Sequence, residues 1–508
     1  MLGRIIGNTV TEIVFRCPYS REVTLGEIVV ADDMERDARF FLRVVDLRYG
    51  QEGSDQWGLR TAGEMLALDD AEQEYRMRDK ERRLFKLAVC APLGVLRDGC
   101  FERPRMLPAH FSVVRRAEPD DYVFLDQHMG DIEVGCLRSG QQDIDVAVAV
   151  RGSLLSHHVG IFATTGMGKS NLMRVFAASV MRQGRYGLLI VDPHGEYYDG
   201  GQDGKGLRHH PMAERSLAVY SPHRLPGPHT TLQLAATEIT VGDVQNIFSF
   251  SDAQRDALHA LAGRYRERWL LRLAQMSIDE LVIEFDQKIH ESTFGVLQRR
   301  AERILASDIV HTDESVAVTD DVLARLRQGM TVLVDTSGLY EYEELLVGVV
   351  LARRILGCYK ACYRDRERFS QLPPVLVTME EAQRVLRERQ GAFARIAREG
   401  RKFKVGLCAI TQQPRLIQDE LLSQFNTFFI LGLADEGDRN IIRSSAKQDL
   451  SKLEKEIQTL EAGEALITYP GAPFAIPARI HWYDDYLEHI DDVDASTRQT
   501  ARLDEDFY

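Results

Sequence analysis

No apolar run in this chain approaches the roughly 18–20 residues that a membrane-crossing helix needs, and no basic-then-apolar leader opens it. A membrane span and a secretory route are therefore not expected, and the reading is a soluble, cytoplasmic protein. Cysteine is scarce. Cys17, Cys90, Cys100, Cys136, Cys358, Cys362 and Cys408 are the seven in 508 residues, an odd number without a C-x-x-C pair. That indicates neither a disulfide framework nor a zinc site. Cys358 and Cys362 stand at helical spacing, which reads as core packing. Positive charge is also in deficit: 63 Lys and Arg face 77 Asp and Glu, for a net charge of −14. Such a surface does not coat nucleic acid broadly. It leaves room for a small basic channel, where local charge decides and the total does not.

Against these absences stands one specific stretch, HHVGIFATTGMGKS at residues 157 to 170. The apolar run from Val159 to Ala163 reads as a strand, and Lys169 onward reads as a helix. The loop between them fits A-x-x-x-x-G-K-S, a phosphate loop with Ala163 where glycine is usual. Gly166 and Gly168 let backbone N–H groups curl around the β- and γ-phosphates. The helix N-terminus adds favourable partial charge. Lys169 supplies a point charge, and the Ser170 hydroxyl is a Mg²⁺ ligand. Thr165, Gly166, Met167, Gly168, Lys169, Ser170 and Asn171 make up the expected nucleotide-binding set. Position 163 needs only a small residue, so alanine leaves the chemistry intact.

Before this loop, short alternating segments (GRIIG, TEIVFRC, EIVVAD, ARFFLRVVDLR, KLAVCAPLG) are punctuated by Gly, Pro and Asp, the pattern of a small β-barrel. Residues 69 to 85 are densely charged and read as a helical or extended excursion. No paired catalytic groups occur here, so the barrel is expected to serve assembly or effector docking. After residue 150 strands alternate with helices, the pattern of a covered, mostly parallel sheet. GLLIVD, TVLVD, PVLVTM, VGLCAI and TFFILG are its expected central strands, and ligands collect at such strand ends. Helical spacing of apolar residues between 240 and 325 marks an inserted helical subdomain. The expected domains are a barrel over 1–140, a core over 145–240 and 326–485, the insertion over 241–325, and a tail or arm over 486–508.

Three strand ends carry chemistry. VLVTMEEAQ places Glu380 and Glu381 at a strand tip, and phosphoryl transfer to water needs one carboxylate near Mg²⁺ and another at the attacking water. Glu380 is assigned to the metal and Glu381 to the water. In IVDPHGEYYD, Asp192, His194 and Glu196 cluster on a turn. They form either a metal-ligand set or a turn that hydrogen-bonds itself, and Asp192 is the residue placed to face the nucleotide. In CAITQQP, the Gln412 amide can sense a γ-phosphate, because it both donates and accepts. Just upstream, ARIAREGRKFK holds Arg398 and Arg401 in a basic helix end. This is either a solvated face or an arginine finger reaching a neighbouring subunit.

Together HHVGIFATTGMGKSN, LLIVDPHGEYYD, VLVDTSGL, VLVTMEEAQ, IAREGRKFKVGL and ITQQPRLIQDELLSQFNT resemble the HerA family of ring-forming ATPases, in the HerA–FtsK branch of P-loop proteins. GEALITYPGAPFAIPARI is similar to that family's closing strands. The resemblance implies an α/β fold: a RecA-like P-loop core with an N-terminal HerA-ATP-synthase-type barrel and an inserted helical subdomain. It implies a homohexamer that translocates double-stranded DNA using ATP and Mg²⁺. A nuclease such as NurA, or an antiphage effector such as a sirtuin-like protein, is the implied partner. Lys169, Ser170, Glu380, Glu381 and Gln412 carry over as the catalytic set, with Arg401 or Arg398 acting across the interface. His157 stands where an arginine is common, and Gln383 stands where the acidic motif usually ends in histidine, so a coupling role at 383 is missing from the pattern. A different class of function, an ATP-bound scaffold that multimerises an effector, needs the same nucleotide site. A conjugative coupling ATPase is disfavoured by the lack of a membrane segment.

Overall fold

The computed structural model describes residues 1–52, 55–67, 80–201, 204–387 and 390–490. Most of the charged stretch over 69–85 and the tail from 491 onward lie outside them. The chain forms two compact units.

One unit is assembled from residues 1–129, 135–148 and 447–480. Its first part is a closed antiparallel barrel. The strands run in the order Glu12–Pro18, Gly3–Thr9, Val113–Arg116, Ile28–Asp33, Ala38–Gln51 and Leu84–Arg97, and the last pairs back with the first. Closure follows from strand period. Glu12–Pro18 buries every second residue, so Ile13, Phe15 and Cys17 enter one core with Phe40, Leu42 and Cys90. Two of the seven cysteines are thus barrel core.

The unit also contains residues 447–480, which sequence pattern alone assigns to the core. A buried charge triad accounts for this. Arg43, with no exposed surface, and Arg138 each donate to Oε1 of Glu456 at 2.8 Å, and Arg43 Nη1 donates to the Ala475 carbonyl at 2.9 Å. Burial depresses the Arg43 pKa, and the Glu456 carboxylate opposes that. A guanidinium placed there costs several kcal/mol unless paired, so the barrel strand that carries Arg43 requires the later segment. The returning strands Glu464–Thr468 and Ile476–Ile480 then pair antiparallel with each other, and the second of them pairs with the strand Ile132–Ser139.

The other unit comprises residues 130–134, 149–446 and, among the described residues, 481–490. Its sheet is parallel throughout, in the order Thr230–Thr231, Leu217–Ser221, Thr331–Asp335, Gly187–Asp192, Val375–Met379, Val405–Thr411, Val159–Phe162 and Thr427–Ile430. Six of these strands are buried at every residue over four to seven positions (Val159–Phe162, Gly187–Asp192, Thr331–Asp335, Val375–Met379, Val405–Thr411 and Thr427–Ile430), as a sheet covered on both faces requires. The helical stretch runs from Val241 to Leu305. Thr240, Ser251 and Ser277 cap three of its helices, each accepting from the backbone N–H three residues on. Trp269 anchors it through its indole N–H on the Ile239 carbonyl at 2.9 Å. Among the described residues no helix is long and apolar enough to cross a membrane.

Candidate active site

Strand order decides which loops meet. The strand Val159–Phe162 lies between Val405–Thr411 and Thr427–Ile430, all parallel. The loop after Phe162 therefore opens at the same edge as Gln412. The next strand beyond Val405–Thr411 is Val375–Met379, which ends at Glu380. Gln412 thus stands between the phosphate loop and the acidic tip. Residues over two hundred positions apart come together because each ends a neighbouring parallel strand.

The loop is built as a cradle. Ala163 is fully buried, keeps ordinary negative φ and donates its N–H to the Thr411 carbonyl at 3.3 Å, so a methyl group is accommodated there. Gly166 and Gly168 have φ of 81° and 95°, the left-handed region that a side chain disfavours. A Cβ at Gly166 would meet nothing within 4 Å, so that glycine serves the loop's curl. Gly168 caps the helix Lys169–Gln183 without a side-chain bond to its first turn, which leaves the helix N-terminus to an anion. Lys169 Nζ lies 3.3 Å from the carbonyls of Ala163 and Thr164, folded over the loop. Burial lowers its pKa, and Glu381, Glu380 and Glu196 act against that. Ser170 lies in the first turn, and Met167 N–H closes the loop on the Thr164 carbonyl at 3.4 Å. Thr165 donates its hydroxyl to Gln412 Oε1 at 2.5 Å, joining the loop to the strand tip that carries Gln412.

The two glutamates diverge. Glu380 turns inward: the buried Tyr197 hydroxyl donates to its Oε1, and His194 Nε2 stands 3.8 Å from its Oε2. Burial pushes its pKa up to about 7, with Asp192 and Glu196 adding to the rise and Tyr197 opposing it. Glu381 has φ 47°, a strained setting for a side-chain-bearing residue, and its carboxylate meets Gln383. Among the described residues no group of three or more His, Cys, Asp or Glu could hold a metal by itself. Mg²⁺ is commonly held by one or two protein oxygens together with water and substrate phosphates, and Ser170 and Glu380 carry oxygens of that kind.

Two residues of the expected set are spent elsewhere. Asp192 is fully buried. Its Oδ1 accepts the N–H groups of His194 and Gly195 at 3.1 and 2.8 Å, and its Oδ2 accepts that of Tyr197 at 2.9 Å. It is the turn that hydrogen-bonds itself, and through that turn it delivers Tyr197 to Glu380. Asn171 is likewise buried. Its amide donates to the His481 carbonyl at 2.8 Å and accepts the Tyr483 N–H at 3.0 Å, tying residues 481–490 to the loop helix. Asn171→Ala is expected to lower stability by about 1–3 kcal/mol and leave ATP affinity unchanged. Thermal melting beside nucleotide titration checks this; a weakened nucleotide affinity at unchanged melting temperature would return Asn171 to the binding set.

Arg398 and Arg401 are both exposed. The helix Ala392–Glu399 buries Phe393, Ala394, Ile396 and Ala397, so Arg398 faces outward, and Arg401 lies in the turn Gly400–Phe403 that leads into the strand Val405–Thr411. That strand has seven residues, which at about 3.3 Å each puts roughly 20 Å between its two ends. Arg401 sits at the entry end, beside His157: burial first, then the Arg401 charge, holds the His157 imidazole below its usual pKa. Gln412 and the phosphate loop sit at the exit end, so neither arginine is brought to the phosphate loop of its own chain. His158 pins the same entry end. It is buried with φ 62°, its Nδ1 accepts the Leu407 N–H at 3.0 Å, and burial lowers its pKa to about 4, leaving the ring neutral. Tyr197 and Thr411 carry no signal of their own in the sequence; only the strand order reveals what they touch.

Residues 132–355 match the family described as helicase HerA, central domain. The DNA double-strand break repair helicase HerA of Sulfolobus acidocaldarius is 26% identical over 413 residues, covering 79% of each chain. That of Pyrococcus furiosus is 24% identical, covering 93% of this chain and 90% of its own. The solved structure of VirB4 from Thermoanaerobacter pseudethanolicus overlays with a TM-score of 0.46 at 15% identity, over 69% of this chain and 96% of that one. A phosphate loop, an acidic strand tip and an amide between them thus stand in a chain whose residues 132–355 match the central domain of helicase HerA and which is similar over most of its length to HerA helicases.

Proposed function

We propose that this ATPase is a motor that moves along double-stranded DNA, working as a homohexameric ring. The observation that carries the reading is the position of Gln412. Its strand tip lies between the phosphate loop, to which it is bonded through Thr165, and the two glutamates. A γ-phosphate held by Lys169 and the loop N–H groups displaces that contact, so occupancy is felt at the neighbouring strands. Mg²⁺ supplies charge neutralisation on the phosphates, with Ser170 and Glu380 as its protein oxygens. Glu381 accepts a proton from the attacking water as the water oxygen bonds to the γ-phosphorus and the bond to ADP breaks. Arg401, remote from its own loop, is the charge offered to a neighbour's nucleotide, with Arg398 as second choice. Relatives named as DNA double-strand break repair helicases support DNA as the substrate. The barrel unit is the proposed docking site for a nuclease or a defence effector.

An acidic chain that grips DNA does so through few Lys and Arg, so binding is expected to be sequence-independent and to fall steeply between about 50 and 200 mM salt. Gel shifts across a salt series on unrelated duplexes check this. Tight binding to one sequence, indifferent to salt, would remove the translocase reading.

A further inference from the structure

Glu381 is the end of a buried relay. Its Oε2 accepts from the side-chain amide of Gln383 at 2.5 Å, the Gln383 Oε1 accepts from the Thr411 hydroxyl at 2.6 Å, and the Thr411 oxygen accepts the Gln413 N–H at 3.0 Å. Gln383 is 8% exposed and Thr411 1%. Thr411 is followed directly by Gln412, which holds Thr165 of the phosphate loop. Loop and base are therefore linked by polar contacts on either side of the Thr411–Gln412 peptide bond.

The chemistry fixes the sense of this chain. An ionised carboxylate only accepts, so the Gln383 NH₂ must face Glu381. The Gln383 carbonyl is then left for Thr411, whose single hydroxyl proton goes to it. Rotating the amide would set its carbonyl against the carboxylate. At a site this dry, an unmatched partner costs more than the bond itself gains.

We propose that Gln383 is a positioning residue for ATP hydrolysis, tying the Glu381 carboxylate to the strand tip that carries Gln412. A shift of Gln412 by the γ-phosphate then pulls on the base through Thr411 and Gln383. This deepens the nucleotide-site reading above and rests on it. Position 383 needs one donor and one acceptor at opposite ends of a short planar group. An imidazole meets that requirement; an aliphatic side chain of similar size does not.

The test measures ATP turnover of the full chain with linear double-stranded DNA, with Lys169→Ala in parallel. Gln383→Leu is expected to lower kcat about tenfold or more, part of what a general base contributes, with KM for ATP unchanged. Thr411→Val, nearly isosteric, is expected to act in the same direction. The double variant should be no slower than the slower single, because both cut one path. Gln383→His should recover most of the rate. Melting temperatures separate loss of fold from loss of coupling, and should Gln383→Leu fail to fold, Thr411→Val carries the test. Normal kcat in a folded Gln383→Leu or Thr411→Val, fully multiplicative losses in the double, or no recovery with histidine would overturn the proposal while Lys169→Ala remains inactive. A wild-type rate in Lys169→Ala would overturn the nucleotide reading and this proposal together.

Discussion

Arg401→Ala protein and Lys169→Ala protein, each inactive alone, are expected to regain ATPase activity when mixed. Lys169 folds over the loop that takes the phosphates, and removing its charge is expected to abolish hydrolysis and weaken ATP binding. Arg401 lies at the opposite edge of the sheet from that loop, next to His157. Its truncation should leave ATP binding nearly intact and lower turnover by about 10³-fold or more, the scale of an arginine finger. In a head-to-tail ring each nucleotide lies between two subunits. An Arg401→Ala subunit keeps a sound phosphate loop, and a Lys169→Ala subunit keeps a sound finger. With equal random mixing, about a quarter of interfaces combine the two sound halves. Mass measurement establishes that subunits have exchanged. Persistent inactivity in exchanged rings would confine Arg401 to its own subunit or to the fold, and Arg398 would be examined the same way.

Glu381→Gln is expected to hold ATP and stop turning it over. The substitution keeps size and hydrogen bonding but cannot take a proton, so the loss should fall near 10²–10⁴-fold in kcat. Lys169 and the loop N–H groups are untouched, so nucleotide affinity should stay within a few-fold of wild type. Single-turnover hydrolysis and retained nucleotide after gel filtration read the two effects separately. Hydrolysis at the wild-type rate would mean that the roles of Glu380 and Glu381 are wrongly divided. The contact of Glu380 with Tyr197 and His194, against that of Glu381 with Gln383, is the structural ground for the division.

Much of the core is legible in the sequence because parallel strands buried on both faces are continuous apolar runs. GLLIVD, TVLVD, PVLVTM and VGLCAI fall on strands Gly187–Asp192, Thr331–Asp335, Val375–Met379 and Val405–Thr411. Five barrel strands are visible for a related reason, since alternation marks a half-buried strand. Val113–Arg116, which closes the barrel between two others, is too short to stand out. The strand, loop and helix around Gly166 and the strand that ends before Glu380 fall where the motifs place them, because such motifs set rare residue types at fixed spacing. What escapes is how a polar side chain is spent. Asp192 and Asn171 sit in the right motifs, yet each satisfies backbone groups that only the fold brings near. The same limit hides the value of Gln383, because Thr411 becomes its neighbour only through the pairing of Val375–Met379 with Val405–Thr411. Arg43 reads as an ordinary strand residue, but its burial against Glu456 places residues 447–480 with the barrel.

The central claim is that ATP turnover at this site drives movement on DNA. The most direct measurement is the ATPase rate of the purified full chain with and without linear double-stranded DNA, using Lys169→Ala to set the background. The account expects turnover to rise on adding DNA of any sequence and to fall back as salt releases the duplex. A chain that binds ATP but hydrolyses it at the same rate with and without DNA, as a nucleotide-held assembly scaffold would, contradicts it.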